Sequence, residues 1–189
     1  VRDALEYRVA AELRVVAGRK LGGYAAVFST PTKIGGFTET IIPGAFRATL
    51  ATRSDVVALV DHNPAQLLGR TASGTLRLSE DARGLAFELD VPATQLGNDM
   101  LALAQRSDLG GMSFGFHVPP GGDAWPARDV RELRAVDLIE VSIAQAWPAY
   151  PDTTIALRAR EQSAKDAESA SFALQSLSPD ARSRFLAML

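Results

Sequence analysis

This chain contains two histidines, His62 and His117, and no cysteine. Thiolate nucleophiles, disulfides and cysteine metal sites are therefore removed in one step. Metal sites built from several imidazoles are nearly excluded, and no HExxH is present. Hydroxyl chemistry remains. Amide hydrolysis by serine needs a hydroxyl, a base within hydrogen-bond reach and a group that orients the base. His62 follows the apolar run Val56-Val57-Ala58-Leu59-Val60, at a strand mouth where its ring can still meet solvent. Ser113 lies in Gly110-Gly111-Met112-Ser113-Phe114-Gly115-Phe116, a glycine-rich setting that lets backbone approach a substrate closely. Taken singly, each has a plainer reading, as a strand-end histidine and an ordinary strand serine.

The third member is open among the acids and His117. Glu140 stands inside Leu138-Ile139-Glu140-Val141-Ser142-Ile143. Strict alternation puts Ile139, Val141 and Ile143 on one apolar face and Glu140 on the other. A carboxylate set in such a strand needs a partner if it is buried, and an imidazole suits. The plain alternative is that this face is wet. Asp61 adjoins His62 too closely to orient it easily, and Asp137 is expected to point opposite to Glu140. His117 shares the Ser113 face, but about 13 Å along a regular strand separates the two. It reads as a cleft-lining candidate outside the triad.

The elements that must position these residues are mostly strands. Alternation over residues 5–17, Gly22–Phe28 and Leu85–Val91 predicts strands, as do Met112–Val118 and Asp137–Ile143. Short helices are expected over residues 44–52 after Pro43, and from Pro92 to about Gln105. Residues 29–42 read as turn-rich, and 119–129 as a loop. Helices are too few to alternate with strands, which favours an antiparallel barrel or sandwich with peripheral helices. One domain over residues 1–158 is expected. Residues 159–189 form a weakly patterned helical tail whose apolar end, Phe185-Leu186-Ala187-Met188-Leu189, suits contact with another copy or another protein.

Composition sets bounds on partners. Net charge is −2 over 189 residues, with both signs scattered. No basic patch with interleaved aromatics points to nucleic acid. No run is long and apolar enough to span a bilayer, and the N-terminal stretch is charged throughout, unlike a signal peptide. No cofactor or metal is implied.

The order of these segments resembles the prohead proteases of tailed bacteriophages, the HK97-like maturation proteases. The resemblance runs over roughly residues 22–158. It rests on Gly23-Tyr24-Ala25-Ala26-Val27-Phe28, Glu39-Thr40-Ile41-Ile42-Pro43-Gly44-Ala45-Phe46 and Asp61-His62-Asn63. Further on it rests on Met112-Ser113-Phe114-Gly115-Phe116, Glu140-Val141-Ser142 and Pro148-Ala149-Tyr150-Pro151. It implies an antiparallel β-barrel of the herpesvirus-protease type, with the nucleophile at Ser113 and the histidine at His62. The herpesvirus relatives use a second histidine as third member, and that position falls near Glu140 rather than at His117. The implied role is a serine endopeptidase acting inside the assembling prohead in the bacterial host cytoplasm. Its implied substrates are scaffold, major capsid protein and the enzyme itself. The alternative is a non-catalytic capsid-assembly or scaffold-like protein on the same fold.

Overall fold

A computed structural model describes residues 5–10, 12–52 and 55–146. In chain order the strands are β1 Glu6–Ala10, β2 Glu12–Ala17, β3 Lys20–Val27, β4 Thr32–Ile34 and β5 Phe37–Ile41. Helix α1, Arg47–Ala51, leads to β6 Val57–Val60, β7 Asn63–Arg70, β8 Leu76–Glu80 and β9 Gly84–Asp90. Helix α2, Gln95–Gln105, precedes β10 Gly111–His117, β11 Asp123–Ala127, β12 Val130–Leu133 and β13 Asp137–Ala144. The Thr94 hydroxyl caps α2 by accepting the Gly97 N–H at 3.2 Å. The expected tail over 159–189 and the Ala149-Tyr150-Pro151 turn lie outside the described residues.

The protein is mainly β, with few peripheral helices, but the expected antiparallel β-barrel does not form. The strands make three open sheets, ordered β1-β10-β13-β6-β7, β2-β3-β9-β8 and β11-β12-β5-β4. Two pairings are parallel, β13 with β6 and β12 with β5. The physical reason lies in the connections. Between β6 and β13 the chain passes through β7, β8, β9, α2, β10, β11 and β12, and it re-enters the sheet beside β6 in the same direction. The N-terminal alternation is also split, because β1 joins the five-stranded sheet while β2 joins another. Period-two patterning is identical for parallel and antiparallel neighbours, so it identifies strands without pairing them.

The turn-rich segment 29–42 contains β4 and β5, and the loop 119–129 contains β11. The apolar strand expected to end at Asp61-His62-Asn63-Pro64 does end before it, at Val60, and Pro64 falls within the next strand, β7. This strand is at the edge of its sheet, where a missing N–H costs least. The sheets share one core, in which Phe46, Phe114, Phe116, Leu21, Leu85, Leu89 and Met112 are fully buried. Phe114 stacks on Phe116 at 5.3 Å and meets the edge of Phe46 at 5.6 Å.

Charges are also buried, between the five-stranded sheet and the sheet carrying β5 and β12. Glu6, Glu39 and Arg131 are buried there together, with Arg8 beside them. Arg8 pairs with Glu39 and, at 2.6 Å, with Glu6. Arg131 donates to Glu6 at 2.7 and 2.9 Å, to Glu39 at 3.1 Å and to Asp123 at 2.8 Å. Arg8 also lies over the Phe116 ring at 5.3 Å. Burial alone would raise the Glu6 pKa. Hydrogen bonds from Arg131 and the two guanidinium charges outweigh it and hold the carboxyl below its ordinary value.

A folded pKa below the unfolded one means that this stabilisation is complete above the ordinary carboxylate range. It is lost as pH falls through the depressed folded value. Glu6→Gln should therefore destabilise the protein at neutral pH, by up to about 3–5 kcal/mol if the arginines are left unbalanced. Denaturant titrations at falling pH should show the gap between variant and wild type closing. A gap that does not depend on pH would contradict this account of the network.

Candidate active site

Strand β10 sends Met112, Phe114 and Phe116 into the core and turns Ser113, Gly115 and His117 to the other side. Antiparallel pairing with β13 sets Ser113 opposite Ser142 and Gly115 opposite Glu140. The ladder then slips, so that Phe116 faces Leu138 and His117 faces Asp137. Ile139 is the extra residue of this bulge and is 39% exposed, while Leu138 is buried in its place. The expected apolar face therefore holds for Val141 and Ile143 and fails at Ile139. The slip also returns Asp137 to the side that Glu140 occupies, contrary to the expected opposition.

His62 is supplied by the connection between β6 and β7. Val60 pairs with Asn63, leaving Asp61-His62 as a two-residue hairpin turn. Both turn residues have positive φ, 47° and 58°. This is the type I′ requirement that usually selects Asn or Gly, and here it must be held by contacts outside the turn. The Asp61 N–H donates to the Ile143 carbonyl at 3.0 Å. The His62 N–H donates to Ser142 Oγ at 2.8 Å. The Asp61 carboxylate accepts from Gln145 N at 2.9 Å and from Gln145 Nε2 at 2.7 Å. Asp61 thus anchors the backbone of the turn and does not touch the ring through these bonds. Parallel pairing of β6 with β13 brings this anchored turn to the Glu140 strand.

The ring of His62 meets Glu140, with Nδ1 to Oε1 at 2.5 Å. With Nδ1–H donating to the carboxylate, Nε2 holds the free lone pair that a general base needs. Glu140 is 4% exposed, and its Oε2 is buried without a partner. The Tyr7 ring lies 4.1 Å from the His62 ring, tilted by 56°. Burial, and then the Glu140 charge, raises the Tyr7 phenol above its ordinary pKa. Gly115 makes room for this arrangement. A Cβ there would lie 2.6 Å from Glu140 Oε1 and 2.9 Å from Tyr7 Cε1.

Ser113 is 1% exposed, and its hydroxyl donates to the Arg8 carbonyl at 2.8 Å. Among the described residues no hydrogen bond joins Ser113 to His62, and none joins His117 to His62 or Glu140. His117 Nδ1 is buried without a partner. The structure thus joins His62 to Glu140, sets Ser113 on the adjacent strand and leaves His117 outside the pair. Among the described residues no group of His, Asp and Glu is arranged to hold a metal ion. Tyr7, Asp61 and Ser142 had no assigned part in the sequence reading. Asp61 and Ser142 carried a signal, the first beside His62 and the second alternating with Glu140 on one strand.

Gly115→Ala should displace Glu140 or Tyr7 and so misplace the His62 ring. Overpacking of this kind costs about 1–3 kcal/mol. A shift near 1 Å at reacting groups costs on the order of 10²-fold in rate. Catalytic turnover measured beside thermal unfolding should show the rate falling well beyond what lost stability explains. Unchanged turnover would mean that the Glu140–His62 geometry tolerates the extra methyl group.

No curated protein and no solved structure gives a significant match to this chain. Among the described residues no helix is long and apolar enough to cross a membrane. One family does match, described as caudovirus prohead serine protease, over residues 6–168. The matched span contains Ser113, His62 and Glu140 and covers most of the chain, so this protein belongs to the caudovirus prohead serine protease family and is a serine protease of capsid maturation.

Proposed function

We propose that Ser113 is the nucleophile, His62 the general base and Glu140 the group that orients His62. The observation that carries this reading is the 2.5 Å contact between His62 Nδ1 and Glu140 Oε1, one strand away from Ser113. It leaves Nε2 free to take the serine proton. In the reaction the Ser113 hydroxyl turns from the Arg8 carbonyl toward Nε2, which removes its proton as Oγ attacks the scissile carbonyl carbon. Glu140 stabilises the resulting imidazolium. His62 then protonates the departing amine, and water takes the place of that amine to hydrolyse the acyl-enzyme. A carboxylate does this better than a neutral second histidine, because the charge that develops on His62 is positive.

The substrates on this reading are scaffold and major capsid protein inside the assembling head, and the enzyme itself. Residues 159–189 are read as a tail, distinct from the protease domain, that meets one of these proteins or a second copy. A second reading, a non-catalytic assembly protein on this fold, is favoured by one observation. Ser113 is almost completely covered, and its hydroxyl is held by backbone.

Ser113→Ala should abolish discrete cleavage of a capsid precursor, as read by mass spectrometry, while leaving unfolding unchanged within about 1 kcal/mol. Cleavage at the wild-type rate by this variant would move the nucleophile elsewhere. A wild-type protein that is folded and yet cuts nothing would favour the assembly reading.

Glu140→Gln keeps the shape of the side chain and should lower turnover roughly 10²–10⁴-fold, as loss of a triad acid does. His117→Ala should cost much less. Steady-state kinetics of the two variants on a peptide spanning the cleavage site test the assignment. Collapse for His117→Ala with near wild-type rates for Glu140→Gln would reverse the two roles.

A further inference from the structure

Strand β1 is an edge strand, antiparallel to β10, and consecutive residues of it touch both partners of the proposed chemistry. Tyr7 packs on the His62 ring, and the Arg8 carbonyl holds the Ser113 hydroxyl. Val9 is the register partner of Ser113 itself. A peptide substrate has to bring a carbonyl carbon to about 3–3.5 Å from Oγ. In this structure β1 backbone fills that space, which is why Ser113 is 1% exposed.

Proteins commonly bind extended peptides by adding them as a strand to a free sheet edge. Without β1, the free edge of the five-stranded sheet would be β10, with Ser113 in its middle. We infer that this edge of β10 is the binding site for an extended peptide substrate. Residues 6–10 of the chain are its internal occupant, and they hold the enzyme latent. This rests on the reading of Ser113 as nucleophile.

Two features suit β1 to the task. It belongs to a different sheet from β2, so it can leave β10 without dissolving the β2–β3 ladder. Its hold comes largely from the side of the strand away from Tyr7, where Glu6 and Arg8 are tied to Glu39 and Arg131. That hold is specific to the chain's own residues. A substrate strand without the same charges would pair with β10 and leave the two arginine–glutamate partners to rearrange.

The absence of native cysteine gives a direct test, since a designed disulfide would be unique. Ala10 and Met112 are register partners. Residues directly opposite in an antiparallel pair lie within the Cα separation that a disulfide spans. The double variant Ala10→Cys, Met112→Cys is labelled with a fluorophosphonate probe, oxidised and reduced, and the labelled residue is mapped by mass spectrometry. Ser113 should label about tenfold more slowly, or slower still, in the oxidised form, because a locked strand removes the open population. Equal labelling of Ser113 in both forms overturns the latch and leaves the nucleophile in place. A reduced, folded protein that labels elsewhere or not at all overturns the nucleophile and the latch with it. Wild-type protein serves as a second measurement should the variant fold poorly. Its amides at residues 6–10 should lose hydrogen-exchange protection once Ser113 carries the probe. Unchanged protection in the labelled protein would overturn the inference.

Discussion

Two arginines and two glutamates buried between sheets constrain this protein more than any single apolar contact. Glu6, Arg8, Glu39 and Arg131 neutralise one another across three strands, and Asp123 completes the hydrogen bonding of Arg131. Such a group contributes little net stability when complete, because the desolvation of its charges offsets their attraction. Its effect is geometric. With β1 in this position and register the four buried charges are satisfied together. Tyr7 and the Arg8 carbonyl are then carried to His62 and Ser113 on the opposite side of the same strand.

The site depends on two local departures from regular structure. The bulge at Ile139 lets Leu138 enter the core while Glu140 stays opposite Gly115. Without the extra residue, burying Leu138 together with Val141 would break the alternation of the strand. The turn at Asp61-His62 is the second departure. Its left-handed residues are held by bonds to Ser142 and Ile143 of the strand that bears Glu140, and to Gln145 just beyond its end. His62 and Glu140 are therefore referred to one strand, and their separation does not depend on the ends of two independent loops.

The Ser113 hydroxyl donates to the chain's own backbone, beneath an edge strand that leaves the serine almost fully covered. The covering strand is held by buried charges, and salt screens buried pairs much less than exposed ones.

Candidates for the chemistry could be named from residue identity. With no cysteine and two histidines, His62, Ser113 and Glu140 could be singled out before any contact was known, and alternation located β3, β9, β10 and β13. Alternation did not reveal partners. It reads the same in parallel and antiparallel ladders, so the open sheets and the β6–β13 pairing came only with the tertiary structure. Nor did it reveal the bulge, because a one-residue slip depends on which neighbour must be buried, and that is settled across strands. Tyr7 and Arg8 looked like members of one more amphipathic strand. Their place over His62 and Ser113 follows from charges at Glu39 and Arg131, far away in sequence, that have no partners until the sheets pack.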